Sequence, residues 1–165
     1  MGCKSYAPSE TFLIPEKFKG AIVIVFENAN SVNNKEDRIY KIPQNGILYT
    51  PYDRISGILK HKYYYIDSLG HKVKEIKNFD YEEYHNKLKS NDTYRLDMYD
   101  GMTTTVAKSS KSKANQKTVS SNDFEKIKWM YITLGSSEDD RQELRRQANS
   151  LIDSISKYYP EKYIP

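Results

Sequence analysis

The sequence predicts an α+β fold: an antiparallel β-sandwich of about six or seven strands with a long C-terminal amphipathic helix packed on it. Three observations carry that expectation. Residues 21–26 read AIVIVF, apolar at every position and rich in β-branched side chains. The run is too short for a helix and suits a strand covered on both faces. Residues 63–76, YYYIDSLGHKVKEI, have the form of a hairpin about a Asp-Ser-Leu-Gly turn. Leu144, Ala148, Leu151, Ile152, Ile155 and Tyr159 recur at helical spacing and need an apolar surface to cover them.

The remaining elements follow in order. Thr11–Ile14 leads into Pro15 and a short turn at 16–20, after which AIVIVF begins. Residues 28–37 form an Asn-rich polar loop. RIYKI (38–42) alternates as a strand and stops at Pro43. Gln44-Asn45-Gly46 is a turn signal, and ILYT (47–50) is the next strand. Residues 51–61 read as loop. In the hairpin, closing Asp67 on Gly70 sets Tyr64, Ile66 and Val73 on a core face. Tyr63, Tyr65, Lys72 and Lys74 then share the solvent face.

Asp80 caps a short helix to Lys89, with Glu83 in the capping-box position. TYRLDMY (93–99) alternates as a strand. Residues 101–122 hold no acid and few large apolar side chains, which predicts a mobile Lys/Ser-rich loop. FEKIKWMYITL (124–134) is the last strand. Ser136-Ser137-Glu138-Asp139-Asp140 supplies an N-cap and first-turn acids for a helix over about 137–159, ended by Pro160. The chain thus reads as a tether at 1–11 and a single domain at 12–165.

Composition narrows the function. The chain has 165 residues, a net charge of +4 and 15 tyrosines, with a mean hydropathy of −0.81. Tyrosine rings supply burial that the aliphatic content alone understates. No run reaches the roughly 18 apolar residues of a membrane-spanning helix. Lys108, Lys111, Lys113 and Lys117 come without arginine or an aromatic residue, a solvated linker rather than a nucleic-acid surface. His61, His71 and His85 fit no zinc spacing, and no cofactor motif is present. Asp53 and Asp100 are the carboxylates that an acid/base pair would use, but their separation is not legible. A non-enzymatic role without cofactor is expected, an unfamiliar hydrolase being the other possibility.

The candidate binding residues are Tyr63 and Tyr65 with Lys72 and Lys74, joined by Tyr49 and Tyr52. Exposed tyrosines give rigid contact area with a polar tip, suited to a protein partner or a sugar ring. The alternative is that these rings stack beneath the long loop or the helix.

The stretches IPEKFKGAIVIVF (14–26), IYKIPQNGILYT (39–50), YYYIDSLGHK (63–72) and MYITLGSSED (130–139) occur in an order that resembles a family of small bacterial domains of unknown function. Its members often open with IP-x-G-[YF]-x-G and close with an aromatic-Val-Gly-Thr-Glu-Glu turn. Here Lys17 stands at the first glycine of the opening motif, and Leu134-Gly135-Ser136 replaces Val-Gly-Thr. The resemblance spans most of residues 12–140 and implies no chemistry. Because such domains are frequently lipoproteins, it implies a lipid on Cys3, followed by the polar tether KSYAPSE, with Met1-Gly2 in place of a removed signal. An incidental free thiol is the other reading of Cys3. The expectation is a periplasm-facing lipoprotein of the bacterial envelope, touching the membrane only through that lipid, and binding a protein and not nucleic acid. Its most specific form is an immunity protein against a toxin. A carbohydrate- or small-ligand-binding domain is the alternative.

Overall fold

The computed structural model describes residues 9–26, 37–54, 60–86, 92–106 and 124–162, and for residues 83, 86, 103–106, 124–126 and 158–162 the backbone alone. Cys3, most of the tether, the 28–36 loop and residues 107–122 of the Lys/Ser-rich loop lie outside the described residues.

The fold is α+β, with two four-stranded sheets and a C-terminal helix. The first sheet has the order β3-β1-β5-β6, from β1 (Glu10–Pro15), β3 (Arg38–Lys41), β5 (His61–Ile66) and β6 (Lys72–Glu75). The second has the order β4-β2-β8-β7, from β2 (Gly20–Phe26), β4 (Ile47–Thr50), β7 (Tyr94–Val106) and β8 (Phe124–Gly135). A short helix α1 (Tyr81–Asn86) precedes β7. A 3₁₀ turn (Glu138–Asp140) leads into α2 (Arg141–Lys162).

Eight strands occur among the described residues rather than six or seven, and neither sheet is purely antiparallel. β1 runs parallel to β3 and β5, and β2 parallel to β4. The reason lies in the path of the chain. Its first four strands alternate between the sheets, so each returns beside the strand before last with the same direction. Hairpin pairing joins only β5 to β6 and β7 to β8.

The sheets share one core, in which Phe12, Ile14, Tyr63 and Tyr65 meet Ile22, Ile24, Ile132 and Leu134. On the other side of β2, Val23 and Val25 pack with Ile127 against Ile152 and Ile155 of α2. The strand is therefore buried on both faces, as its uniform apolar run requires. Gly46, at φ +74°, carries the turn into β4. A Cβ there would lie 2.6 Å from the Ala21 carbonyl oxygen, so only glycine fits.

Several local expectations are corrected. Glu10 and Thr11 belong to β1, so the tether ends earlier than residue 11. Gly101–Val106 continues β7, because each of these residues finds a partner along β8. α2 begins at Arg141, after the 3₁₀ turn, and runs through Pro160. A proline removes one backbone donor, a loss the last turns of this helix accommodate. The Asp140 carboxylate accepts the N–H groups of Ser136 and Ser137 at 2.8 and 3.1 Å and fixes the start.

The hairpin correction matters most for function. The Asp67 N–H donates to the His71 carbonyl, so the turn is one residue longer than Asp67–Gly70. An irregularity between Tyr65 and Ile66 then shifts the register again, pairing Tyr65 with Lys74 and Tyr64 with Glu75. Tyr63 and Tyr65 face the core at 3% and 7% exposure, while Val73 is 53% exposed. Tyrosine rings, not the aliphatic side chains, were selected for the interior. Lys72 and Lys74 fall on opposite faces as a result.

Candidate functional site: a tyrosine-lined groove beside a buried polar row

The parallel register of β1, β3 and β5 places Arg38, Glu10 and His61 in one cross-strand row at the end where all three strands begin. Each lies two residues before an inward aromatic side chain (Tyr40, Phe12, Tyr63), so alternation turns all three into the sandwich. The aromatic row stacks, with Phe12 5.0 Å from Tyr40 and 4.9 Å from Tyr63.

Glu10 and Arg38 are each 3% exposed. The Tyr40 hydroxyl donates to Glu10 Oε1 at 2.8 Å. His61 Nδ1 lies 3.3 Å from Glu10 Oε2, within ion-pair range but without hydrogen-bond alignment. Burial raises the Glu10 carboxyl above its ordinary value, opposed by the Tyr40 hydrogen bond and by Arg38 and Arg54. Burial also lowers the His61 imidazole, helped by Arg95. The row is thereby biased towards neutral imidazole.

Arg38 links the row to the second sheet. It donates to the Asp53 carbonyl and lies 4.8 Å over the Tyr52 ring. Tyr52 meets Tyr40 edge-on at 6.0 Å. The Asp53 carboxylate accepts from Lys128 at 3.1 Å, and Arg54 pairs with Asp100 at 2.5 Å. The two aspartates are thus each held by a cation, Asp53 by Lys128 and Asp100 by Arg54.

Beside this network, the edge strands β3 and β4 leave a groove of about 400 Å³ lined by Tyr40, Lys41, Leu48, Tyr49, Thr50 and Tyr52. Arg38 fixes the Tyr52 ring from one side. The groove is open and mostly apolar, with Lys41 and the Tyr52 ring at its sides and Tyr40 buried at its base.

Of the six binding residues expected from sequence, Tyr49 and Tyr52 both border the groove, but Tyr52 packs on the inter-sheet core and Tyr49 on the cluster beneath α2. Tyr63 and Tyr65 are buried and offer no platform. Tyr65 donates its hydroxyl to the Phe18 carbonyl at 2.7 Å. Lys72 and Lys74 lie on β6, at the opposite edge of the first sheet from β3. Lys74 pairs with Asp92 at 2.5 Å. His71 stands 3.2 Å from Asp67, and His85 packs on Tyr81 at 4.3 Å. No group of three His, Cys, Asp or Glu able to hold a metal occurs among the described residues. Sequence reasoning missed Glu10, Arg38 and His61. The missed signal is their shared offset from an inward aromatic residue.

No described helix is long and apolar enough to cross a membrane. Among solved structures, the chain is similar to a protein from Bacillus anthracis provisionally described as a lipoprotein. The two share 12% identity at a TM-score of 0.44, over 80% of this chain and 75% of that one. No curated protein matches. Residues 7–125, from before β1 to the start of β8, match the model of a family of unknown function, DUF6843, and the chain belongs to that family.

Proposed function

We propose that this chain is a non-enzymatic, envelope-tethered protein-binding module that uses the groove between β3 and β4, and in its most specific form an immunity protein that neutralises an antibacterial toxin. The observation that carries the reading is the groove left between the edge strands β3 and β4, with the Tyr52 ring held on its wall by Arg38. Rigid aromatic side chains with polar tips are the usual anchors of protein interfaces. The flanking edge strands add backbone groups that an extended partner segment can pair. A lipid on Cys3 would hold the β1 end within about 25 Å of the membrane, the most that seven extended residues span.

The test is calorimetric titration of the purified chain with secreted products encoded beside its gene. Protection of cells producing the same products is scored in parallel. A Tyr52→Ala variant should bind about tenfold or more weakly and lose protection. Failure to bind any such product, or binding that ignores the substitution, removes the proposal.

The groove volume also favours a second reading, a sugar ring or small ligand stacked on Tyr52. Glycan-array binding abolished by Tyr52→Ala would select it. An array without signal eliminates it.

A further inference from the structure

The outward faces of the two sheets are treated differently. α2 covers that of the second sheet, laying Ile152 and Ile155 over Val23, Val25 and Ile127. No described helix packs over that of the first sheet, although β3, β1 and β5 are three adjacent parallel strands. Parallel strands are ordinarily covered on both faces, which is why their side chains are apolar on both.

The register gives the composition of this open face. One row holds Ile39, Thr11 and Lys62, and the next Lys41, Leu13, Tyr64 and Glu75. The last holds Pro15, Ile66 and Lys72. Leu13 at the centre is 8% exposed, Pro15, Tyr64 and Ile66 are half-buried, and Ile39 at the β3 edge is 59% exposed. The perimeter is basic. Lys41, Lys62 and Lys72 are exposed. None forms an ion pair with a described carboxylate, and Lys72 lies 4.3 Å over the Tyr64 ring. Glu75 is the one acid in these rows.

We infer that the outward face of the first sheet is a docking surface for a protein partner, in the form of an amphipathic helix whose apolar stripe is flanked by acidic side chains. Size and charge both point there. Four strands at about 4.8 Å spacing make a strip about 14 Å wide between the outer strands. One helix of about 10–12 Å diameter covers it. Apolar residues between lysines call for an apolar stripe between carboxylates. A second copy of α2 has the wrong sign at its N-terminal half, where Arg141, Arg145 and Arg146 lie. The surface meets the groove at β3, where Ile39 and Lys41 border both, and Lys62 and Lys72 lie outside the groove.

The probes are two synthetic amphipathic peptides of about 18 residues, some 27 Å when helical. Both carry a leucine stripe, one flanked by glutamate and one by lysine. Each is titrated into the full chain by calorimetry, and amide shifts are followed by NMR. The glutamate peptide should bind about tenfold tighter than the lysine peptide and shift the amides of Leu13, Lys62 and Tyr64. A Lys62→Glu/Lys72→Glu variant, changed only at exposed positions outside the groove, should reverse the preference. Tyr52→Ala should leave it unchanged, which separates this inference from the groove reading. Equal binding of both peptides, or a preference surviving the double variant, overturns it. So does binding to phosphatidylglycerol vesicles with both peptides ignored, or self-association abolished by Tyr64→Ala.

Discussion

Lys17 holds φ at +66°, the left-handed region that side chains with a Cβ adopt at a cost. The turn from β1 into β2 therefore needs a residue able to go left-handed. Lys17 is exposed, so replacing it removes strain without removing packing. Lys17→Gly is expected to stabilise the fold by about 0.5–1 kcal/mol, read as a higher urea midpoint with an unchanged slope. The buried row was legible at the same scale, by counting back two residues from Phe12, Tyr40 and Tyr63. It was missed because charged residues at strand starts ordinarily lie in water. Tyr63 and Tyr65 erred the other way, since a hydroxyl suggests exposure while the ring area decides burial.

For single elements, β2 and α2 were readable because each carries a long, unambiguous pattern. The stripe of Leu144, Ala148, Ile152 and Ile155 is buried in α2 as its spacing requires. The β5–β6 hairpin was not, because two one-residue features set its register. The Asp67 carboxylate accepts the N–H groups of Leu69 and His71, closing a longer turn than the glycine suggests. The irregularity after Tyr65 supplies the second slip. No periodicity reports either one. Docking of α2 rests on burial more than on charge. Ile152→Ala should cost about 2–4 kcal/mol in chemical unfolding. Arg145→Ala, which removes a bidentate but half-exposed pair with Asp97, should cost less than about 1 kcal/mol.

Across the whole molecule, the α+β class and a sandwich with a covering helix followed from the sequence, but the strand directions did not. Local patterns identify strands; which sheet a strand joins depends on contacts far along the chain. The parallel pairs β1–β3 and β2–β4 come from alternation between sheets, which leaves no mark on any one segment. The sandwich end closed by Arg38, Glu10 and His61 should give the molecule a pH response. Burial holds the His61 imidazole below its ordinary value of 6.5. On acidification the unfolded chain takes that proton first. The contribution of His61 is thus complete above about pH 6.5 and lost as pH falls towards the lowered value. Glu10, raised from 4.5 by burial, acts in the opposite sense, since the folded chain takes its proton first. The melting temperature should therefore fall from pH 7 towards pH 5.5, and His61→Gln should flatten that slope. An unaltered slope in the variant would assign the response elsewhere.

The pairing of β2 with β8 has a consequence for how the molecule is made. Val25 lies opposite Trp129, roughly a hundred residues further along the chain. The most hydrophobic segment is consequently among the first synthesised, and β4 can pair one of its edges early, yet its other edge gains β8 only when the chain is almost complete. Until then that edge of AIVIVF is a sticky end in a nascent polypeptide, open to chaperones and to aggregation alike.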